Sequence, residues 1–430
     1  MILLMMGGLI VLMATGIPVS FALCLIATIG FMVDVGPEVV WLSLSAISQR
    51  MTFSLMNFLL LSIPFFILSA KLMNSAGITS RIFSFANSTV GSFPGGLAHA
   101  NILASLIFSG MSGTAVSDAA GLGRIELKSM VDHGYDTEIS VGVTAASSII
   151  GPIFPPSVPM VVYSLVSGAS VGQLFLGGVL PGILMTAVLM VLVTYIAKRR
   201  NFFCYDRSSL RKIVQEARKV FLPLMTPVIL LSGIWGGFFT PTEAAVVAFT
   251  YASLLSYLVY RETGLKNLIT VFVETGRETA SIGFLISASA YYGFILSRSG
   301  VTNQIAATLM GISGSAIIAM LIVNLFLLLI GCFMEPTSAI LIMGPILMPL
   351  IARYGIDPVH FGIIMVLNLM IGLLTPPFGV VLFIMQDMSG LSFGRVLRGA
   401  FIFITPLIIA LGLIIVFPDI VLLLPRLLRG

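Results

Sequence analysis

Charged residues are scarce in this 430-residue chain. Asp, Glu, Lys and Arg together make up 9% of the sequence and hydrophobic residues make up 58%, whereas a soluble domain has roughly 25% charged residues. This composition excludes an ordinary soluble domain and predicts an all-α polytopic membrane protein, with room for about ten or eleven spans of roughly 20 residues. The net charge of +5 does not suggest a nucleic-acid partner.

Cysteine and histidine are also rare, with three of each. The cysteines form no CxxC motif and are too few for a disulfide framework; they are Cys24, Cys204 and Cys332. The histidines are not spaced as metal ligands usually are. The dipeptide Gly-Lys does not occur, which excludes the usual phosphate-binding loop. No catalytic-triad spacing is present either. We therefore expect neither an enzyme nor a bound cofactor, and any energy for transport must come from an ion gradient or from a partner.

What the chain does contain is an internal repeat. A shift of 221 residues superimposes six features of the first half on the second. The pairs are Gly110 and Gly331, Ser117 and Ser338, Gly134 and Gly355, Asp136 and Asp357, Gly151 and Gly372, and Pro155-Pro156 and Pro376-Pro377. Two weakly similar halves in a membrane protein are typical of secondary transporters, whose substrate lies between the halves at interrupted helices.

The repeat predicts three regions: a first half at 1–197, a basic linker at 198–219 and a second half at 220–430. Eight of the 22 Lys and Arg residues lie in the linker, which indicates a cytoplasmic loop by the positive-inside rule. We expect five spans in each half, and an odd number means that the halves are inverted and the N-terminus lies outside the cytoplasm.

Each half also contains a charge-bearing stretch, at 37–50 and 262–279, which we interpret as a helix lying in the membrane interface. A span is expected directly after each of these stretches, at 53–73 and 280–297.

A re-entrant hairpin is predicted in each half, at about 94–131 and about 314–352. The first arm of the first hairpin has roughly 13 residues, or about 20 Å of helix, which is short of a hydrocarbon core of about 30 Å. The arm is expected to turn back at Ser109–Thr114, and the second hairpin at Gly331–Ser338. Such polar backbone must line a cavity or pack on protein.

Each half is also expected to have a broken span, at about 138–165 and about 359–388. The interruptions are Gly151-Pro-Ile-Phe-Pro-Pro156 and Gly372-Leu-Leu-Thr-Pro-Pro377. Proline removes a helix hydrogen bond and clashes with the preceding turn, so two adjacent prolines after a glycine should unwind the helix.

Unwound backbone exposes carbonyl oxygens that suit a hard cation such as sodium, and the helix N-termini beside the breaks suit an anionic substrate. The predicted cation-binding residues are Ser109, Gly110, Ser112, Gly151, Gly331, Glu335, Gly372 and Thr375. The predicted substrate-binding residues are Thr114, Ser117, Asp118, Pro156, Thr337 and Pro377. For each Ser or Thr, the alternative is a hydroxyl bonded to its own helix.

Four motifs resemble the large membrane subunit of TRAP transporters, the tripartite ATP-independent periplasmic transporters. They are Ser109-Gly-Met-Ser-Gly-Thr-Ala-Val-Ser-Asp118, the two interruptions above, and Gly236-Gly-Phe-Phe-Thr-Pro-Thr-Glu-Ala244. The resemblance covers essentially the whole chain. It implies the fold of an elevator-type transporter, in which the hairpins and broken helices form the moving domain.

The resemblance also implies the partners and the location. These are a separate four-helix small membrane subunit, a periplasmic substrate-binding protein and sodium as the coupling ion. The implied substrate is a small organic acid, such as sialic acid or a C4-dicarboxylate, and the implied location is the inner membrane of a bacterium or archaeon. Two alternatives stay open. One is a stand-alone sodium–dicarboxylate or citrate carrier, and the other is a scaffold or channel-like subunit without coupling.

Overall fold

The described part of the chain is built from helices. A computed structural model describes residues 3–36, 38, 43–200, 202, 208–260, 265–300 and 315–428, and no strand occurs within these ranges. Seven of the described helices are long and apolar enough to cross a membrane. The predicted all-α polytopic architecture is confirmed.

The described residues of the first half form ten α-helices, with a π-helical turn at Leu3–Gly7 before the first and a 3₁₀ turn at Phe58–Leu61 before the fourth. The helices are α1 (Gly8–Ala14), α2 (Val19–Val35), α3 (Leu44–Leu55), α4 (Ser62–Ser75), α5 (Ile78–Val90), α6 (Gly96–Ser112), α7 (Ala115–Asp132), α8 (Thr137–Ser148), α9 (Val158–Ser167) and α10 (Val171–Arg200).

The described residues of the second half form nine α-helices, and a π-helical segment at Leu255–Tyr260 extends the second of them. The helices are α11 (Leu210–Trp235), α12 (Pro241–Leu254), α13 (Leu265–Arg298), α14 (Ala316–Gly331), α15 (Pro336–Arg353), α16 (Pro358–Gly372), α17 (Val380–Ser389), α18 (Phe393–Val416) and α19 (Asp419–Leu427).

Both hairpins have shorter tips than the sequence suggested. Only Gly113 and Thr114 separate α6 from α7, because α6 continues through Ser112 and ends where Gly113 adopts a left-handed φ of 62°, a conformation that glycine reaches without a steric penalty. In the second hairpin, residues 332–335 separate α14 from α15. The start of the predicted second hairpin, at 314, lies outside the described residues.

Each half has a span that is interrupted near its middle. Non-helical backbone at 149–157 separates α8 from α9, and non-helical backbone at 373–379 separates α16 from α17. The peptide bonds Pro155-Pro156 and Pro376-Pro377 are cis.

The 221-residue repeat extends to the caps that start the broken spans. The Asp136 carboxylate accepts the backbone N–H of Glu138 at 2.8 Å, and the Asp357 carboxylate accepts that of Val359 at 2.7 Å. A carboxylate in this position satisfies an N–H group that the helix itself leaves free, and it suits the positive end of the helix dipole. Equivalent residues therefore begin α8 and α16 in the same way.

One prediction about the second half is wrong. The stretch 262–279 is not a separate interfacial helix, because its described residues belong to α13, which continues without a break from Leu265 to Arg298. Its 34 residues give a length of about 50 Å. No proline occurs in this range, so nothing in the sequence interrupts the helix. The predicted interfacial stretch at 37–50 lies partly outside the described residues, and α3 packs along α13.

The basic segment at 198–219 is more helical than a linker. Its first three basic residues form the last turn of α10, which ends at Arg200, and its last basic residues lie in α11, which begins at Leu210. Arg200 forms an ion pair with Asp136 at 2.9 Å, and Lys219 forms one with Glu216 at 2.7 Å. Residues 201 and 203–207 lie outside the described part of the chain.

The two halves are packed into one another. The Tyr163 hydroxyl of α9 donates to the Pro358 carbonyl at the start of α16, at 2.7 Å. Gly142 of α8 lies so close to α18 that a Cβ atom there would be 2.3 Å from the Gly399 carbonyl oxygen. An outer group of helices, α2 to α4 with α11 to α13, packs mainly within itself, and α5 connects this group to the first hairpin because it packs on both α11 and α6.

Buried asparagines join each hairpin to the broken span of its own half. In the first half, Asn101 of α6 donates to the Thr144 hydroxyl at 2.8 Å and accepts from Ser147 at 2.6 Å. In the second half, the Asn368 amide donates to the backbone and side-chain oxygens of Asn324, at 2.8 and 2.7 Å. Interhelical hydrogen bonds of this kind stabilise helix association where apolar burial alone gives little preference.

We expect Asn368→Ala to lower stability by about 1–3 kcal/mol, because it leaves the buried oxygens of Asn324 without their donor. The apparent melting midpoint of the purified protein in detergent measures this effect. Asn267→Ala is the matched control, since Asn267 is exposed on α13. Equal midpoints for the two variants would contradict the assignment.

Candidate functional site

In the first half, the tip of the hairpin contacts the interruption of the broken span. The Val158 N–H donates to the Gly113 carbonyl at 3.3 Å. A Cβ atom on Gly113 would lie 2.7 Å from the Pro156 carbonyl oxygen, so no other residue fits without movement. Two pieces of non-helical backbone thus satisfy part of each other's hydrogen-bonding requirement.

The second half repeats this contact. The Phe378 N–H donates to the Cys332 carbonyl at 3.2 Å. The ends of the two helices meet at a pair of glycines, because a Cβ atom on Gly372 would lie only 2.5 Å from the carbonyl carbon of Gly331. The Thr375 hydroxyl donates to the Gly372 carbonyl at 2.8 Å and lies 3.0 Å from the Cys332 sulfur.

Several oxygen atoms converge around Gly151 in the first half. A Cβ atom on Gly151 would have the Ser148 carbonyl oxygen at 3.3 Å, the Thr114 carbonyl oxygen at 3.5 Å and Ser112 Oγ at 3.7 Å. Ser112 is 2% exposed, and its hydroxyl has no hydrogen-bond partner among the described residues. A hard cation takes ligands of these kinds, namely carbonyl and hydroxyl oxygens.

The other two predicted cation residues of the first half face elsewhere. The Ser109 hydroxyl donates to the Leu106 carbonyl of its own helix, at 2.5 Å. Gly110 faces α11, where its Cβ atom would lie 2.8 Å from Pro227 Cβ. The structure therefore groups Ser112 with Gly151 but separates Ser109 and Gly110 from them.

In the second half, Glu335 acts as a helix cap. Its carboxylate accepts the Ser338 N–H at 3.1 Å and the Thr337 hydroxyl at 2.8 Å, at the start of α15. Thr114 caps α7 in the same manner by accepting the Ser117 N–H at 3.3 Å. Thr114 and Glu335 are separated by 221 residues, as are Ser117 and Ser338, so the two tips share one capping pattern with different charges.

A cavity of about 470 Å³ lies between the two halves. The first turns of four helices contribute to its wall: Thr114 to Ser117 of α7, Val158 and Pro159 of α9, Glu335 to Thr337 of α15, and Val380 of α17. The N-terminus of a helix carries a partial positive charge and free N–H groups, which favour an anion. The size lies in the range of pockets for small molecules.

The predicted substrate residues divide into two sets. Thr114, Ser117 and Thr337 line the cavity. Asp118 does not, since its side chain is 1% exposed within the hairpin. Pro156 turns its carbonyl towards Gly113, and Pro377 is exposed away from the cavity lining.

Sequence reasoning missed the contribution of α13 to this cavity. Arg277, Glu278, Ser281 and Ile282 all line it, although the stretch 262–279 was assigned to the interface. A charged residue within a membrane helix is costly and is therefore a functional candidate by default. Arg277 gave that signal in the sequence. It stands 19 residues before Leu296, where the apolar segment ends, and no proline separates the two.

A second cavity of about 610 Å³ is formed by α1, α2, α14 and the loop at Phe378. Apolar side chains and glycine line it throughout, for example Ile10, Met13 and Phe326. The described lining of this cavity offers no polar side chain to an organic acid, so the cavity between the hairpins is the better candidate site.

Two helical hairpins and two interrupted helices surround a cavity that contains polar and charged side chains, in a chain with many apolar helices. This arrangement is typical of a membrane transporter. Comparison with solved structures identifies a similar fold. The YdaH transporter of Alcanivorax borkumensis has a similar fold, with a TM-score of 0.63, 15% identity and 90% of each chain covered.

Comparison with protein families is more specific. The model of the tripartite ATP-independent periplasmic transporter, DctM component, matches residues 6–420. The sialic acid TRAP transporter large permease protein SiaM of Vibrio cholerae is 43% identical, over 97% of each chain. The C4-dicarboxylate TRAP transporter large permease protein DctM of Pseudomonas aeruginosa is 38% identical, over 86% of this chain and 87% of its own.

The chain therefore belongs to the family of TRAP transporter large permease subunits. Family membership confirms the predictions of a transporter rather than an enzyme and of a multi-pass protein of the inner membrane.

We expect Gly372→Ala to push the hairpin tip away from the broken span, because its new Cβ atom would meet the Gly331 backbone at 2.5 Å. In a background without Cys24 and Cys204, alkylation of Cys332 should become several-fold faster, since Cys332 lies at that contact. Gly331→Ala should have a smaller effect, because its closest contact would be 3.3 Å.

Gly412→Ala is the control for this experiment, because a Cβ atom there would have no neighbour within 4 Å. Equal alkylation rates for Gly372→Ala and Gly412→Ala would show that the two glycines do not hold the tip in place.

Proposed function

We propose that this chain imports a small organic acid by sodium-coupled secondary transport. A periplasmic substrate-binding protein delivers the acid, and a separate four-helix small membrane subunit accompanies the chain. Sialic acid is the first candidate substrate because a relative with 43% identity is named for it, and C4-dicarboxylate is the second because of the relative with 38% identity.

The convergence of four helix N-termini on one cavity is the observation that carries this proposal. The N-termini of α7, α9 and α17 supply partial positive charges that favour a carboxylate over a neutral or cationic solute, whereas the Glu335 carboxylate offsets the partial charge of α15. The cavity volume of about 470 Å³ suits a ligand of the size of a sugar acid or a dicarboxylate. Thr114, Ser117 and Thr337 supply hydroxyl groups for further hydrogen bonds.

Sodium is proposed to bind where the oxygens of Ser112, Thr114 and Ser148 surround Gly151. The buried Ser112 hydroxyl without a partner supports this assignment, because a buried polar atom that lacks a hydrogen bond is costly unless a ligand supplies one. Because Thr114 contributes its carbonyl to this cluster and its side chain to the cavity wall, bound sodium would also order the substrate site. This connection is how an ion gradient would drive the uptake of an anion.

An elevator movement fits the packing of the helices. The hairpins and broken spans, α6 to α9 and α14 to α17, would move as one body past the outer group. The boundaries that we propose for the repeats remain 1–197, 198–219 and 220–430, with the two halves inverted in the membrane. The cavity lies at the border of the two groups, since α13 supplies part of its wall.

Reconstitution tests the proposed function. We expect vesicles that contain this chain and its small subunit to accumulate N-acetylneuraminate when the binding protein and an inward sodium gradient are both present. Uptake should be absent when potassium replaces sodium. Uptake without the binding protein would instead favour a stand-alone carrier, and uptake that is indifferent to sodium would refute the coupling ion.

Two serines one turn apart on α6 give a matched test of the ion site. Ser112→Ala should raise the sodium concentration needed for half-maximal uptake, because it removes one ligand of several. Ser109→Ala should leave that concentration unchanged, because the Ser109 hydroxyl is already bonded to Leu106. The sodium dependence of initial uptake rates measures both effects, and equal shifts for the two variants would contradict the proposed site.

A further inference from the structure

The cavity between the hairpins contains three ionisable residues among its described lining: Arg277, Glu278 and Glu335. Two of them already have partners. The Glu278 carboxylate pairs with the Lys71 ammonium at 2.7 Å. The Glu335 carboxylate accepts hydrogen bonds at the start of α15, as described above. Both acidic groups are therefore held by the protein itself.

Arg277 is different. It forms no ion pair and no side-chain hydrogen bond with the described residues, although it lies next to Glu278 in sequence. Lys71 lies 3.2 Å from Glu274 as well as 2.7 Å from Glu278, so the acidic groups one residue after and three residues before Arg277 are both engaged elsewhere. Among the described lining of the cavity, the Arg277 guanidinium is therefore the positively charged group whose N–H donors are not engaged by another side chain.

We propose that Arg277 binds the carboxylate of the transported acid. A guanidinium presents two parallel N–H donors that match the two oxygens of a carboxylate, which gives both affinity and orientation. The helix N-termini contribute partial charges only, whereas Arg277 contributes a full charge in the same cavity. This inference rests on the proposed function, since it assumes that the cavity receives an organic acid.

The location of Arg277 gives it a particular role. It belongs to α13, which packs on α2 and α3 in the outer group, whereas Thr114, Ser117 and Thr337 belong to the hairpins. Arg277 therefore contacts the carboxylate from outside the hairpin domain. This contact requires the conformation seen in this structure, in which α13 lines the cavity. A bound acid would then connect the outer helices to both hairpin tips, and a neutral analogue would not.

Direct binding to the purified permease with its small subunit tests this inference without the binding protein. The probes are N-acetylneuraminate compared with its methyl ester and succinate compared with its dimethyl ester, so that both esters are neutral, at saturating sodium. We expect Arg277→Gln to weaken binding of the acid by about 10- to 100-fold, the range for loss of a hydrogen bond to a charged group. The ester should bind wild type and Arg277→Gln equally, and Arg277→Lys should restore part of the affinity for the acid.

Arg298→Gln is the matched control, because Arg298 lies on the same helix but pairs with Asp34 at 3.2 Å. Unchanged affinity of Arg277→Gln for the acid would overturn the inference, and so would an equal loss for acid and ester, which would indicate a structural effect. A wild-type protein that binds neither acid would overturn the proposed function, and the inference with it.

Discussion

The whole arrangement depends on how backbone groups outside helices are satisfied within a membrane. Hydrocarbon offers no hydrogen bonds, so an interrupted helix is stable there only if protein supplies the missing partners. In this chain each interruption is opposed by the tip of a hairpin, and Val158 with Gly113 and Phe378 with Cys332 form the connecting hydrogen bonds. The cavity exists because these contacts hold four helix starts around one space.

Duplication of the chain preserved this frame but changed its electrostatics. Thr114 and Glu335 occupy equivalent positions and cap equivalent helices through Ser117 and Ser338. A neutral cap leaves the positive partial charge of the α7 N-terminus available, whereas the carboxylate of Glu335 offsets that of α15. The two sides of the cavity thus share a backbone geometry and differ in the charge that a ligand meets.

Much of this architecture was predictable because it is encoded by local signals. The adjacent prolines that follow Gly151 predicted an interrupted helix, and the repetition of this pattern after Gly372 identified the second break. The end of α6 was predicted too early because the Ser109 hydroxyl bonds to its own helix, which residue type alone does not reveal. Arg277 was missed as a cavity residue because that role arises from the packing of α13 beside segments that are distant in the sequence, including the tips of both hairpins.

The interlocking of the halves also has a consequence for how the protein is made. The hydroxyl of Tyr163 on α9 has its acceptor at Pro358, which is 195 residues further along the chain. At a synthesis rate of about 5–20 residues per second, roughly 10–40 s separate the emergence of the two groups from the ribosome. The first half therefore enters the bilayer with part of its interior unfinished, so its insertion cannot be a self-contained folding step.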